Sequence, residues 1–240
     1  MNAIELKGLK KSYKDIDAVK GIDLEIAEGE LFSLLGMNGA GKSTTIKMLS
    51  CVCAPTSGDA LIIGKSIVNE PQEVKKIINV SPQETAVAGN LTVRENLMLI
   101  AELYGIDSPK DAVKRMIDDF MLEEVANKQA KKLSGGWQRR LSIAMALITD
   151  PKALFLDEPT LGLDVVARRE LWAHIKRLKG KVTIILTTHY LEEAQALSDR
   201  IAIMKKGRIT ALGTPDEIVA ASGRDNFEDA FIALSTEEQV

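Results

Sequence analysis

The sequence predicts an α/β fold with a mainly parallel sheet, an antiparallel β layer and an inserted helical lobe. Three observations support this: apolar strand patterns alternate with helical ones, an early segment alternates apolar and polar residues, and the middle third is strongly helical. A chain of 240 residues fits one large domain. Within a single domain 1–240, we expect residues 1–84 and 148–221 to form the core with its β layer, 85–147 the helical lobe, and 222–240 a helical tail.

The expected parallel sheet rests on three short apolar runs. Leu31–Leu35 ends at a glycine-rich loop, and Lys42–Leu49 then carries apolar residues at helical spacing. Ala153–Leu156 and Val182–Leu186 are further buried-strand patterns, each followed by a helical pattern. This alternation is typical of parallel strands covered by helices.

Other strand patterns predict the antiparallel β layer and a hairpin near the end of the sequence. Ala18–Ile26 alternates before a Glu-Gly turn, and Ala60–Ile63 is another short β run. Arg200–Met204 and Arg208–Leu212 flank a Lys-Lys-Gly turn, which predicts a hairpin.

The lobe begins with helix-start signals. Thr92 and Glu95 have the spacing of a capping box, and Ser108 followed by Pro109 predicts a second helix start, with Asp111 as capping partner. The two expected buried stripes are Leu97, Ile100, Ala101 and Tyr104, and Val113, Met116, Ile117 and Phe120.

Composition limits the function classes. The net charge of −3, from 31 basic and 34 acidic residues, gives no field that would attract nucleic acid, so no nucleic-acid partner is expected. No apolar run reaches the length of a membrane span or a signal peptide. Cys51 and Cys53 indicate reduced thiols in a cytosolic protein. We therefore expect a cytoplasmic chain.

The strongest motif runs from Gly36 to Ser43 and fits G-x-x-x-x-G-K-[ST]. In such loops the backbone amides surround phosphates, while the lysine and the hydroxyl reach the nucleotide and Mg²⁺. Its position between a strand and a helix is the required context. The loop residues expected to bind nucleotide are Gly36, Asn38, Gly39, Ala40, Gly41, Lys42, Ser43 and Thr44, and Ser43 is also a metal ligand.

Asp157 and Glu158 follow the strand Ala153–Leu156, at the sheet edge where open α/β sheets bind ligands. Beside a phosphate loop, Asp157 is placed to hold Mg²⁺ and Glu158 to orient or deprotonate an attacking water. Taken alone, the pair is equally well read as acids that cap a strand. His189 ends the strand Val182–Thr188 at the same edge, where it could contact a γ-phosphate, although a lone histidine is more often structural.

Leu133–Gly136 reads Leu-Ser-Gly-Gly and opens a helix. Ser134 is expected to cap that helix while free amides form a second anion site. The alternative is an ordinary helix start after a glycine turn.

Together these motifs resemble the nucleotide-binding domain of ATP-binding cassette (ABC) transporters. The matching elements, in order, are the loop 36–44, Gln83, the signature-like Leu133–Gln138, Leu154–Glu158, Gly162–Asp164 and Thr187–His189. The resemblance extends from Tyr13 to the segment Phe227–Leu234.

The resemblance implies further roles and a dimer. Tyr13 would stack on adenine, Gln83 would sense Mg²⁺ and the attacking water, and Glu158 would be the catalytic base. His189 would contact the γ-phosphate, and Asp164 would connect two sites across the dimer.

Ser134, Gly135 and Gly136 would act on the nucleotide of a second cassette, most simply a second copy of this chain. Separate transmembrane permease subunits would hold the pair on the cytoplasmic face of the membrane. Trp137 stands where the signature often has glutamine. The run Trp137–Arg140 resembles variants among exporters of drugs, lipids or polysaccharides, and Phe227–Phe231 also resembles that branch.

Two other functions fit the sequence less well. A soluble cassette ATPase acting on the ribosome or nucleic acid is disfavoured, because the lobe is too short for a coiled-coil arm, the chain carries one cassette, and no basic tail is present. A nucleotide-gated partner without turnover is disfavoured by the presence of both Glu158 and His189. The sequence therefore predicts ATP hydrolysis coupled to transport, with ATP and Mg²⁺ as ligands.

Overall fold

The computed structural model describes residues 1–236 and confirms the predicted α/β architecture. The strands are β1 (Asn2–Tyr13), β2 (Ile16–Ala27), β3 (Leu31–Leu35), β4 (Ser57–Ile62), β5 (Lys65–Ser66), β6 (Ile78–Ser81), β7 (Ala153–Asp157), β8 (Thr183–Thr188), β9 (Arg200–Lys205) and β10 (Arg208–Gly213). The helices are α1 (Lys42–Leu49), α2 (Pro71–Ile77), α3 (Val93–Leu103), α4 (Pro109–Asp119), α5 (Gly135–Leu147), α6 (Val165–Lys176), α7 (Leu191–Leu197), α8 (Pro215–Ser222) and α9 (Phe227–Ser235). The expected tail includes α9, and its last residues, 237–240, lie outside the described part of the chain.

A six-stranded sheet with the order β10-β9-β3-β8-β7-β6 forms the core. Its strands pair in parallel, except that β9 and β10 form the predicted antiparallel hairpin. Every residue of β3, β7 and β8 is buried, which explains their unbroken apolar runs. β6 was not predicted, because its sequence Ile-Asn-Val-Ser is too short and polar to show a buried-strand pattern.

The second sheet is the predicted antiparallel layer, with the order β2-β1-β4-β5. β1 was not predicted as a strand. Several register shifts interrupt its pairing with β2, and Gly8 has a φ of 56°, so apolar and polar residues do not alternate regularly along it. The end of β1 brings Tyr13 to the edge of the layer that faces the candidate site described below.

The capping box that opens α3 is confirmed. The amide of Glu95 donates to the Thr92 hydroxyl over 3.2 Å, and the Thr92 amide donates to the Glu95 carboxylate over 2.7 Å. Leu97 and Ala101 are buried as expected, but the assignment of Tyr104 to this stripe was wrong. α3 ends at Leu103, so Tyr104 is its C-cap and its side chain is 54% exposed.

The start of α4 is only partly as predicted. Pro109 does occupy the first turn, but within residues 1–236 the Ser108 hydroxyl makes no capping hydrogen bond, so the capping pair with Asp111 was wrong. The Ser108 backbone, at φ −124° and ψ 73°, departs from the extended conformation that Thr92 adopts at its own cap. The second stripe is confirmed, since Val113, Met116, Ile117 and Phe120 are all buried.

Three apolar clusters pack against the six-stranded sheet. The first joins Leu154 and Leu186 to apolar side chains of α3, α4 and α5, and the second fills the space between the two sheets around Phe32 and Phe155. The third joins Leu35 to apolar side chains of α7, α8 and α9. The carboxyl ends of β3, β7 and β8 are thereby held side by side at one edge. Among the described residues, no helix combines the length and apolar character needed to cross a membrane.

Candidate nucleotide-binding site

A cavity of about 580 Å³ opens at the carboxyl ends of the central strands. It brings together most of the residues that the sequence predicts for the site. Its walls are formed by Tyr13, Ala18, Asn38, Gly39, Ala40, Gly41, Lys42, Ser43, Thr44, Gln83, Glu158, Leu161 and His189. Ala18 and Leu161 carry no chemical signature by which the sequence could have identified them.

The phosphate loop runs from the end of β3 to the start of α1, and close backbone contacts require two of its glycines. A Cβ on Gly36 would lie 2.5 Å from the carbonyl oxygen of Met204, and a Cβ on Gly41 would lie 2.5 Å from that of Ala18. Gly41 also has a φ of 110°, a conformation that favours glycine. It is the N-cap of α1, so the first amides of the helix face the cavity, where an anion is favoured.

Lys42 holds its ammonium inside this loop. Its side chain is 5% exposed, and Nζ donates to the Gly36 carbonyl oxygen over 2.7 Å. Nζ also lies 3.3 Å from Glu158 Oε1. The ammonium is therefore fixed between the loop and the acid that ends β7, on the cavity wall, where it can neutralise phosphate charge.

Asp157 and Ser43 form an oxygen-rich corner beside Lys42. Ser43 Oγ donates to Asp157 Oδ1 over 3.0 Å, and the Thr187 hydroxyl donates to the same oxygen over 2.5 Å. Hard oxygen ligands suit Mg²⁺, which in nucleotide sites is usually bound through one or two carboxylates together with substrate phosphates and water. Within residues 1–236 no cluster of three or more His, Cys, Asp or Glu side chains could hold a metal alone. The corner therefore fits a Mg²⁺ ion that arrives with a nucleotide.

Glu158 is held in an unusual backbone conformation. Its φ is 48°, in the left-handed region that non-glycine residues rarely adopt. The Glu158 amide donates to both the carbonyl oxygen and the hydroxyl of Thr187, at 3.1 and 3.0 Å. The carboxylate is directed at two cavity groups, because Oε2 lies 2.8 Å from His189 Nδ1 and Oε1 faces Lys42. A carboxylate so placed can accept a proton from a water in the cavity.

Tyr13 lines the cavity with an aromatic ring. Its phenol is in contact with Cys53, with Oη 3.7 Å from Sγ, and this hydrogen bond, followed by burial, raises the pKa of Tyr13 above its usual range. The ammonium of Lys11 lies 5.0 Å from the ring centroid. The raised pKa keeps the phenol neutral. Because Tyr13 is also 44% exposed, its aromatic face is available for stacking. Both Cys51 and Cys53 are free thiols.

The structure separates two predicted elements from this cavity. Ser134 is exposed and occupies the N-cap position of α5, but its hydroxyl makes no capping hydrogen bond within residues 1–236, so that part of the prediction was wrong. Ser134, Gly135 and Gly136 are not among the residues that line the cavity. Asp164 is the N-cap of α6, where it accepts bonds of 2.9 Å from the amides of Val166 and Ala167.

Arg139 of α5 contacts the site, a position that the sequence did not predict. Its guanidinium is buried and donates to the backbone carbonyls of Pro82, Gln83 and Glu158. An arginine in a helix usually lies in solvent, so only its tertiary contacts distinguish it from its neighbour Arg140.

Comparison with known proteins agrees with this geometry. The family model described as ABC transporter matches residues 19–161. The daunorubicin/doxorubicin resistance ATP-binding protein DrrA of Streptomyces peucetius is 41% identical over 92% of this chain and 68% of its own length. Nod factor export ATP-binding protein I of a Rhizobium species is 41% identical over 90% of this chain and 72% of its own. The ABC transporter ATP-binding protein YbhF of Escherichia coli is 38% identical over 96% of this chain, which spans only 41% of YbhF.

Solved structures share the fold over nearly the whole length. An ATP-binding subunit of an ABC transporter superposes with a TM-score of 0.85 at 29% identity, covering 97% of this chain and 99% of that one. A dimeric ATP-binding cassette in a post-hydrolysis state, bound to ADP and Pi, superposes with a TM-score of 0.78 at 29% identity, covering 88% and 98%. With its phosphate loop, buried acid pair and this likeness, the chain belongs to the ABC transporter family and is an ATP-binding cassette of it.

Proposed function

We propose that the chain binds Mg-ATP in this cavity, hydrolyses it, and uses the cycle to power a membrane exporter. The observation that carries the proposal is the position of the Glu158 carboxylate, which lies between Lys42 and His189 on the wall of the cavity. A binding module without turnover would not need a buried acid in contact with both groups.

In this proposal, the loop amides and Lys42 hold the phosphates. Ser43, Asp157 and Gln83 hold Mg²⁺, which when bound supplies positive charge to the phosphate oxygens. Glu158 accepts the proton of the water that attacks the γ-phosphorus, and His189, which lies beside Glu158, contacts the γ-phosphate. Tyr13 stacks on the adenine ring.

We further propose that two cassettes close on two nucleotides, most simply as a homodimer. Ser134 and Gly135 are exposed and lie outside the cavity of their own chain, so they are available to a partner's nucleotide. A dimer is recorded for the solved cassette bound to ADP and Pi. Asp164 would then connect the two sites from the start of α6, and the core, lobe and tail would keep the boundaries given above.

We also propose a membrane partner for this chain. The chain would bind separate permease subunits at the cytoplasmic face of a membrane and pass the closing motion to them through the helical lobe. The names of DrrA and of Nod factor export protein I describe drug resistance and export, which supports an exporter over an importer.

The test compares two single variants in one assay pair. Glu158→Gln removes the base but keeps its shape, so phosphate release should fall about 100- to 10,000-fold while a fluorescent ATP analogue still binds. Lys42→Ala removes the ammonium and should abolish tight binding itself. Unchanged phosphate release in Glu158→Gln would refute the assigned base, and wild-type affinity in Lys42→Ala would refute the assigned phosphate loop.

A further inference from the structure

Arg139 connects α5 to two other segments, the loop that carries Gln83 and the end of β7 that carries Glu158. It lies in the second turn of α5, and its side chain is 2% exposed. Nη1 donates to the carbonyl oxygen of Pro82 over 2.5 Å, and Nη2 donates to those of Gln83 and Glu158 over 2.8 and 3.0 Å. One guanidinium therefore links α5, the Gln83 loop and the end of β7.

These contacts are strong because the donor is charged and shielded from water. Burial lowers the pKa of Arg139, while the nearby charges of Asp157 and Glu193 raise it. Arginine stays protonated in proteins, so this buried guanidinium keeps its positive charge. Lysine could not replace these contacts, because its single ammonium lacks the planar fork that reaches several carbonyls at once.

The bond to Glu158 has a particular consequence for the backbone of that residue. A non-glycine residue stays in the left-handed region only where its surroundings hold it there. The Glu158 amide is held by Thr187, and its carbonyl oxygen is held by Arg139. These two backbone hydrogen bonds hold Glu158 in the conformation in which its carboxylate contacts Lys42 and His189.

We propose that Arg139 is a positioning residue that sets the backbone of Glu158 and Gln83 according to the position of α5. The inference rests on the proposed function, in which the Ser134–Gly136 turn at the start of the same helix covers a partner's nucleotide. Closure of that turn would then be transmitted to the base of the chain's own site through one side chain.

The experiment compares Arg139→Lys with Arg140→Lys in the full chain. Arg140 lies on the same helix and is also buried, but it contacts Glu170 and the ring of Trp137 instead of the site. Mg-ATP turnover, the affinity for a fluorescent ATP analogue and the melting temperature are measured for both. Misplacing a catalytic group by about 1 Å can lower turnover about 100-fold, so Arg139→Lys should lose about 10- to 100-fold in kcat while the affinity changes less than about 3-fold. Arg140→Lys should keep its kcat.

Four outcomes would contradict one of the proposals. A folded Arg139→Lys with wild-type kcat overturns it, and so does a loss of kcat that the Arg140→Lys control shares. A parallel loss of affinity and kcat also overturns it, because that pattern indicates general damage. If Arg139→Lys does not fold, Arg139→Gln, which keeps an amide donor, is judged by the same criteria. A wild-type chain without turnover refutes the proposed function instead, before any variant is compared.

Discussion

Replacing Gly41 with alanine tests whether the shape of the phosphate loop controls nucleotide affinity. The residue has a φ of 110°, and forcing alanine into such a conformation costs about 1 kcal/mol. The new Cβ would lie 2.5 Å from the Ala18 carbonyl oxygen, and overpacking of this kind adds about 1–3 kcal/mol. Together the two effects give about 2–4 kcal/mol of strain. If the loop shifts out of its binding conformation to relieve this strain, ATP affinity falls about 30- to 700-fold, because about 1.4 kcal/mol corresponds to a tenfold change.

The assay is a titration with a fluorescent ATP analogue and Mg²⁺, paired with urea unfolding, since the strain divides between binding and stability. Gly64→Ala is the matched control: its φ is 75°, but a Cβ there meets no described atom within 4 Å. It should lose about 1 kcal/mol of stability and no affinity. If Gly41→Ala bound the analogue like the wild type and unfolded like Gly64→Ala, the steric reasoning would be wrong.

Two further changes test stability away from the site. Thr92→Ala removes the capping box with Glu95 and should cost about 1 kcal/mol, which lowers Tm by about 2–4 °C without changing ATP affinity; an unchanged Tm would contradict the assigned cap. Burial, then the charge of Arg140, lowers the pKa of His174, so the folded state resists protonation. Stability should therefore be full above the ordinary pKa of about 6.5 and fall at lower pH, where the unfolded chain takes up the proton. His174→Gln should flatten this decline between pH 7 and pH 5 in urea midpoints, and an equal decline in both proteins would rule out His174 as its source.

Local sequence patterns predicted much of the fold. The runs Leu31–Leu35 and Ala153–Leu156 were recognisable as strands because both of their faces are buried. Patterns failed where burial is partial or irregular, as in the bulged β1 and the polar β6. Capping was predictable from residue spacing at Thr92 but not at Ser108, since the backbone conformation at a cap depends on the packing of the helix that follows.

By itself, the sequence determined that Gly36–Thr44 follows a phosphate-loop pattern and that a buried strand ends in Asp157 and Glu158, because both features are local in the chain. Only the tertiary structure decided that Glu158 lies against Lys42 and His189, and that Arg139 holds it there. These contacts join residues far apart in the chain, and their distances depend on how the sheet and α5 pack together, which no local pattern encodes.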